Sequence, residues 1–190
     1  MEQRPIPHWA RRQQIRVGAV IAVALAIGLG VWLVTIHDGG SSSSKSKITA
    51  IPPTAASPDR LSLLANDVGH PVYWAGAAAR TTYELTETSS GRVYVRYLPT
   101  GVPVGSTSAR YTIVGTYPVD SAYNVLNQLA RKSGESSFPA PRGGFAVYAD
   151  STPTNIYLAY PGKNVQIEVY DPSPKRARAL ITSGRVAPVQ

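Results

Sequence analysis

The spacing of apolar residues changes three times along this chain. From Val17 to Ile36 (VGAVIAVALAIGLGVWLVTI) it is continuous, twenty residues without a charge. As a helix that run rises about 30 Å, the depth of a bilayer's hydrocarbon core. A helix apolar all round is seldom built on the surface of a small soluble domain, so a membrane span is expected here. Residues 37–57 (from Asp38, DGGSSSSKSKITAIPPTAAS) then show no apolar period and read as a flexible linker. Beyond them the pattern alternates between helical and period-two spacing.

Ser57-Pro58-Asp59 supplies an N-cap, a proline at the first helical position and an early acid. Leu61, Leu64 and Val68 follow at helical spacing until Gly69. Period-two stretches predict strands at Pro71–Trp74, Tyr83–Thr88, Arg92–Leu98 and Tyr111–Tyr117, with a hairpin at Ser89-Ser90-Gly91. A helix is expected from Asp120 or Ser121 through Lys132, with Ala122, Val125, Leu126 and Leu129 on one face. After a loop (SSFPAPRGG) come strands at Phe145–Ala149, Ile156–Tyr160 and Val165–Tyr170, and a last helix from Ser173-Pro174 to Gly184. TIVGTYP and VQIEVYDPSP each lead into a helix and then Ser-Gly, suggesting two βββα repeats. The expected architecture is α+β: an antiparallel sheet over residues 58–190 with its helices on one face, behind a cytoplasmic tail (residues 1–16) and the span.

Charge orients the span. Arg4, Arg11, Arg12 and Arg16 precede it against Glu2 alone, so the N-terminus is expected in the cytoplasm and the domain outside. The run exceeds a signal-peptide core and lacks a small-x-small cleavage site, which favours an uncleaved signal-anchor. The net charge is +8, and the absence of cysteine excludes disulfides, thiolate metal sites and cysteine nucleophiles. A basic exported domain suits the bilayer, an anionic envelope polymer or a membrane protein; cations scattered over strands and loops do not suit nucleic acid. Gly18, Ala22, Ala26 and Gly30 form a small-residue stripe along the span that would let helices pack closely, in a homo-oligomer or as the accessory subunit of a membrane complex.

The stretches GHPVYWAG, YELTET, GRVYVRYLP, NIYLAYPGK, QIEVYDPSP and SGRVAPV, spread over residues 69–189, resemble a set of uncharacterised single-pass membrane-anchored proteins of high-GC Gram-positive (actinobacterial) type. That resemblance implies an anchored domain with these limits, and implies no activity, cofactor or site residue.

Candidate chemistry is sparse. His70 is the one histidine beyond the linker, and no nucleophile elbow, phosphate loop or dinucleotide fingerprint is present. No cofactor or metal is expected. A carboxylate-dependent envelope hydrolase would need Glu168 and a partner such as Glu84 or Glu87 on a neighbouring strand. All eleven tyrosines fall between Tyr73 and Tyr170. Strand alternation collects Tyr94, Tyr148, Tyr157 and Tyr170 with Arg92, Arg96 and Glu168 on the sheet's outer face. Aromatics interleaved with arginines would make a binding platform for a polymer or protein. A solvent face stabilised by cross-strand tyrosine pairs is the plainer account.

Overall fold

The computed structural model describes residues 49–190. The apolar run, its small-residue stripe and the tail expected in the cytoplasm lie outside these residues. Among the described residues no helix is long and apolar enough to cross a membrane. The described part is an antiparallel α+β domain of ten strands and three helices.

In chain order the elements are β1 (Ile51–Ala56), α1 (Pro58–Val68), β2 (Tyr73–Trp74), β3 (Thr81–Glu87), β4 (Val93–Pro99), β5 (Ile113–Pro118), α2 (Ala122–Leu129), β6 (Glu135–Ala140), β7 (Gly144–Ala149), β8 (Asn155–Ala159), β9 (Val165–Tyr170), α3 (Pro174–Thr182) and β10 (Ala187–Pro188). Eight strands form one sheet in the order β1-β3-β4-β5-β9-β8-β7-β6, and β2 pairs with β10 in a separate ribbon. The order reads alike from both edges, two four-strand meanders meeting at β5 and β9. Six residue pairs form that junction, from Ile113 opposite Tyr170 to Pro118 opposite Val165.

One face carries the larger core. Leu61 and Leu64 of α1 pack on Leu85, Val93 and Val95. Ala177 and Ile181 of α3 pack on Ile156, Leu158, Ile167 and Val169. The β2–β10 ribbon closes over the same face, where the Tyr73 amide donates to Thr116 Oγ1 (3.0 Å) and the Ala75 amide to the Tyr97 hydroxyl (2.6 Å). The expectation that all helices share this face is corrected by α2. Its Ala122 and Leu126 pack on Val147, Tyr157 and Ala159, which alternate to the opposite side from Ala146, Ile156 and Leu158. Strand periodicity assigned Val147 and Phe145 to the main core; α2 gives them a second one.

Two further expectations change. Ile51–Ala56, expected in the linker, forms an edge strand on β3, with its two prolines where the register shifts between Ile51 and Thr54. The Ser-Ser-Phe-Pro-Ala-Pro loop instead contains β6, the opposite edge. The Asp150 amide donates to the Gly134 carbonyl, so alternate pairs from that point turn their amides to β7 and Pro139 falls on the outward-facing set. Proline costs no ladder bond there.

Candidate functional site: a buried polar layer under the sheet

The side of the sheet opposite α1 and α3 holds most of the expected platform, but it is not an open platform. Three strands that run across it, β4, β5 and β9, project Tyr94, Arg96, Tyr117, Gln166 and Glu168 to this side, and all but Tyr94 are buried. They are covered from one flank by α2 and from the other by the β4–β5 connection, residues 100–112.

Beneath that connection lies an ion pair. Arg96 Nη1 donates to Glu84 Oε1 at 2.8 Å, with side-chain exposures of 6% and 2%. The same guanidinium donates to the carbonyls of Ser106 (2.7 Å) and Ser108 (2.6 Å), and the Gly105 amide donates to Glu84 Oε2 at 2.5 Å. The pair thus fastens a loop of little apolar content to the sheet, with backbone groups meeting both guanidinium Nη atoms and the second carboxylate oxygen. Among the described residues Arg96 Nε has no hydrogen-bond partner. Arg96 is therefore a clamp, not a ligand-facing cation.

Glu168 sits at the junction of the two meanders, opposite Gly115 on one side and Tyr157 on the other. The Tyr117 hydroxyl donates to Glu168 Oε2, and Asn155 Nδ2 donates to Oε1 at 2.6 Å. Gly115 makes this possible: a Cβ there would lie 2.6 Å from the Tyr117 hydroxyl. Burial pushes the Glu168 carboxyl up to about 6, the two donated hydrogen bonds opposing it only in part. Burial also raises the Tyr117 hydroxyl well above 10, with the Glu168 charge adding to the effect, so the tyrosine stays a proton donor. Tyr94 stands edge-on to Tyr117 (5.6 Å between centroids) and the Arg92 guanidinium lies 5.8 Å from the same ring. Gln166 Oε1, buried beside them in the strand, has no partner among the described residues.

The seven platform residues therefore divide. Arg92, Tyr94, Arg96, Tyr157, Glu168 and Tyr170 share this side; Tyr157 is buried beside α2, and the Tyr170 hydroxyl donates to the Ala109 carbonyl at 2.6 Å. Tyr148 does not join them. It alternates to the main core beside Phe138, 6.3 Å between centroids. Tyr117 and Asn155, which strand alternation alone did not single out, and Gln166, which alternates with Glu168 but was not among the expected binding residues, complete the layer. The signal for Tyr117 was its place opposite Gln166, which needs the β5–β9 pairing that sequence does not reveal.

The two-carboxylate reading finds no geometry here. Glu84 and Glu168 are on strands three places apart in the sheet, a separation of about 14 Å at ordinary strand spacing. Paired glycosidase carboxylates stand about 5–10 Å apart. Glu84 is also neutralised by Arg96. His70 Nε2 and Nδ1 lie 2.9 and 3.1 Å from the Gly91 and Pro71 carbonyls, a turn residue tied to backbone. Among the described residues no three His, Cys, Asp or Glu side chains gather as metal ligands. A cleft of about 260 Å³ beside the start of α2, lined by Tyr123, Asn124, Lys163 and Asn164 among others, offers one cation and no acid.

Burial sorts the charges. Of nine carboxylates in the described residues, four (Glu84, Glu87, Glu168 and Asp171) are buried, against one of thirteen cations, Arg96. The exterior therefore carries twelve cations and five acids. Compared with protein-family models, with curated proteins and with solved structures, the chain shows no match.

Proposed function

We propose that this protein is a single-pass, membrane-anchored extracytoplasmic module that binds an anionic component of the cell envelope without transforming it. The observation that carries the binding half is the sorting of charge: four of nine described acids are buried against one of thirteen cations, giving a surface more basic than the composition alone suggests. Such a surface raises the local concentration of anionic partners. Anchoring is supported by the uncharged run Val17–Ile36 and the four arginines before it. The non-catalytic half is supported by Glu168, whose oxygens are occupied by Tyr117 and Asn155 inside the fold. In this reading the tyrosines stabilise the layer and do not form the contact surface.

The test is a C-terminal fusion to a reporter enzyme that is active only after export, combined with carbonate extraction of membranes. Reporter activity in intact cells and retention in the extracted membrane pellet are expected. Activity confined to the cytoplasm, or release by carbonate, would overturn the proposal.

A further inference from the structure

Taking the anchored-module reading as its basis, we infer that the contact surface is a basic rim at one end of the sheet, and that its partner is a linear phosphodiester polyanion. Register defines the two ends. A row of paired residues runs across all eight strands: Ile51, Glu87, Val93, Thr116, Ile167, Leu158, Ala146 and Phe138. A second row, Arg96, Ile113, Tyr170 and Asn155, lies nearer the opposite end. The chain enters at Ile51, in the first row. The connections that leave beyond the second row carry Arg80, Arg110, Arg131, Lys132, Lys175 and Arg176, all exposed.

These connections form one rim, joined by hydrogen bonds. The Thr100 amide donates to the Arg80 carbonyl (3.0 Å), and the Tyr170 hydroxyl donates to the Ala109 carbonyl beside Arg110 (2.6 Å). Thr112 Oγ1 donates to Asp171 Oδ2 (2.6 Å), where α3 is about to start. The Asp171 amide donates to Thr154 (3.2 Å), and the Asp150 amide to Gly134, just after Lys132 (2.9 Å).

The acids at this end are fewer than the cations, and only Asp59 and Asp150 among them are exposed. Asp171 is buried and accepts from Thr112 and the Ser173 amide, with Arg176 at 3.8 Å. Asp150 accepts from Ser136 Oγ at 2.6 Å. Glu135 is half-buried, and burial followed by the Asp150 charge pushes its carboxyl up. Asp59 lies at the start of α1.

Two features of the rim point to its partner. Lys175 and Arg176 occupy the first turn of α3, which holds no acid, although the helix dipole there disfavours cations. The cations are spread along the ends of the strands and do not converge on one point, which suits a chain of charges and not a single small anion. Four of the six are arginines, whose planar fork matches phosphate oxygens in pairs. A bilayer surface is the competing occupant. It is disfavoured because the cations follow the strand ends as a row, which a linear chain of phosphates tracks more closely than a planar layer of headgroups does.

The experiment uses the full chain in non-ionic detergent and three probes: linear poly(glycerol phosphate), polyglutamate, and vesicles containing anionic phospholipid. Binding is followed against salt for wild type, for Arg110→Glu/Lys132→Glu/Lys175→Glu, and for Lys163→Glu at the opposite end. Wild type should bind poly(glycerol phosphate) most tightly, and the triple variant should lose about tenfold or more at low salt with a shallower salt dependence. Lys163→Glu should stay within about twofold of wild type. A glutamine version of the triple variant, with an unchanged thermal melt, guards against misfolding. Equal losses for Lys163→Glu and for each rim substitution made singly would overturn the rim while leaving a generally basic binding surface intact. Preference for the vesicles or for polyglutamate would overturn the phosphodiester partner. Failure of the reporter test above would instead remove the envelope setting altogether.

Discussion

Glu168 shows how one side chain's setting becomes a property of the whole fold. Its carboxyl is 2% exposed and has no cation in contact among the described residues, so the fold favours the neutral acid and lifts it to about 6 from 4.5. A group raised in the folded state adds stability that is complete below its unfolded pKa and is lost as pH rises through its folded value. The window here runs from about pH 4.5 to somewhat above 6, and the shift corresponds to about 2 kcal/mol. Glu168→Gln keeps the shape of the neutral acid and removes the proton equilibrium. Urea unfolding of both proteins at about pH 4 and about pH 8 should therefore show the variant gaining about 2 kcal/mol relative to wild type at the higher pH. A difference that does not change with pH would mean that Glu168 is not held neutral by its surroundings. Burial raises Glu87 and Glu135 in the same direction, which is why the comparison is made between the two proteins and not read from the wild-type curve alone.

At the scale of elements, helix starts separate what local chemistry decides from what packing decides. Ser57 and Ser173 are extended N-caps whose hydroxyls accept from the Arg60 and Arg176 amides, each followed by proline at the first helical position. Both starts were legible because cap, proline and helix are contiguous in sequence. Ser121 is different. It precedes α2 in a left-handed conformation at φ 53°, makes no side-chain cap, and is fixed by its amide donating to Asn164 Oδ1 across 43 residues. Ser57→Ala should lower the unfolding free energy by about 1 kcal/mol. Ser121→Gly should leave it unchanged or raise it by up to about 1 kcal/mol, because glycine relieves the left-handed strain. Denaturant titrations of the two variants check this, and the reverse order would disprove the cap assignment. Strand positions were equally legible: Val165–Tyr170 agrees at both ends, and Tyr83–Thr88 and Arg92–Leu98 shift by a residue or two. Which side of a strand meets water was not. Gln166 and Glu168 alternate as a solvent face would, yet both are buried, because α2 and residues 100–112 return over them from distant sequence. β6 was hidden for a related reason. An edge strand tolerates Pro139 and needs no apolar alternation, so nothing in Ser-Ser-Phe-Pro-Ala-Pro announces it.

At the scale of the molecule, the two meanders cannot be separated although their strand order mirrors. Each sends a terminal element onto the other. α2 follows the first meander in sequence but packs on Val147, Tyr157 and Ala159 of the second. β10 follows the second but pairs with β2, and the Val189 amide donates to the Val72 carbonyl at 2.8 Å. Glu168 likewise draws one donor from each meander, Tyr117 and Asn155. Severing these links would expose β5 and β9 as open edges and leave the buried carboxylate with half its partners. The described domain should therefore unfold as one cooperative unit. Leu126→Ala, which empties the contact of α2 with the second meander, should lower its stability by about 2–5 kcal/mol. Hydrogen exchange resolved by residue would then show amides of β3 and β4, far from Leu126 in the sheet order, losing protection together with those of β7 and β8. Protection lost from β7 and β8 alone would make the meanders independent and their interlocking incidental.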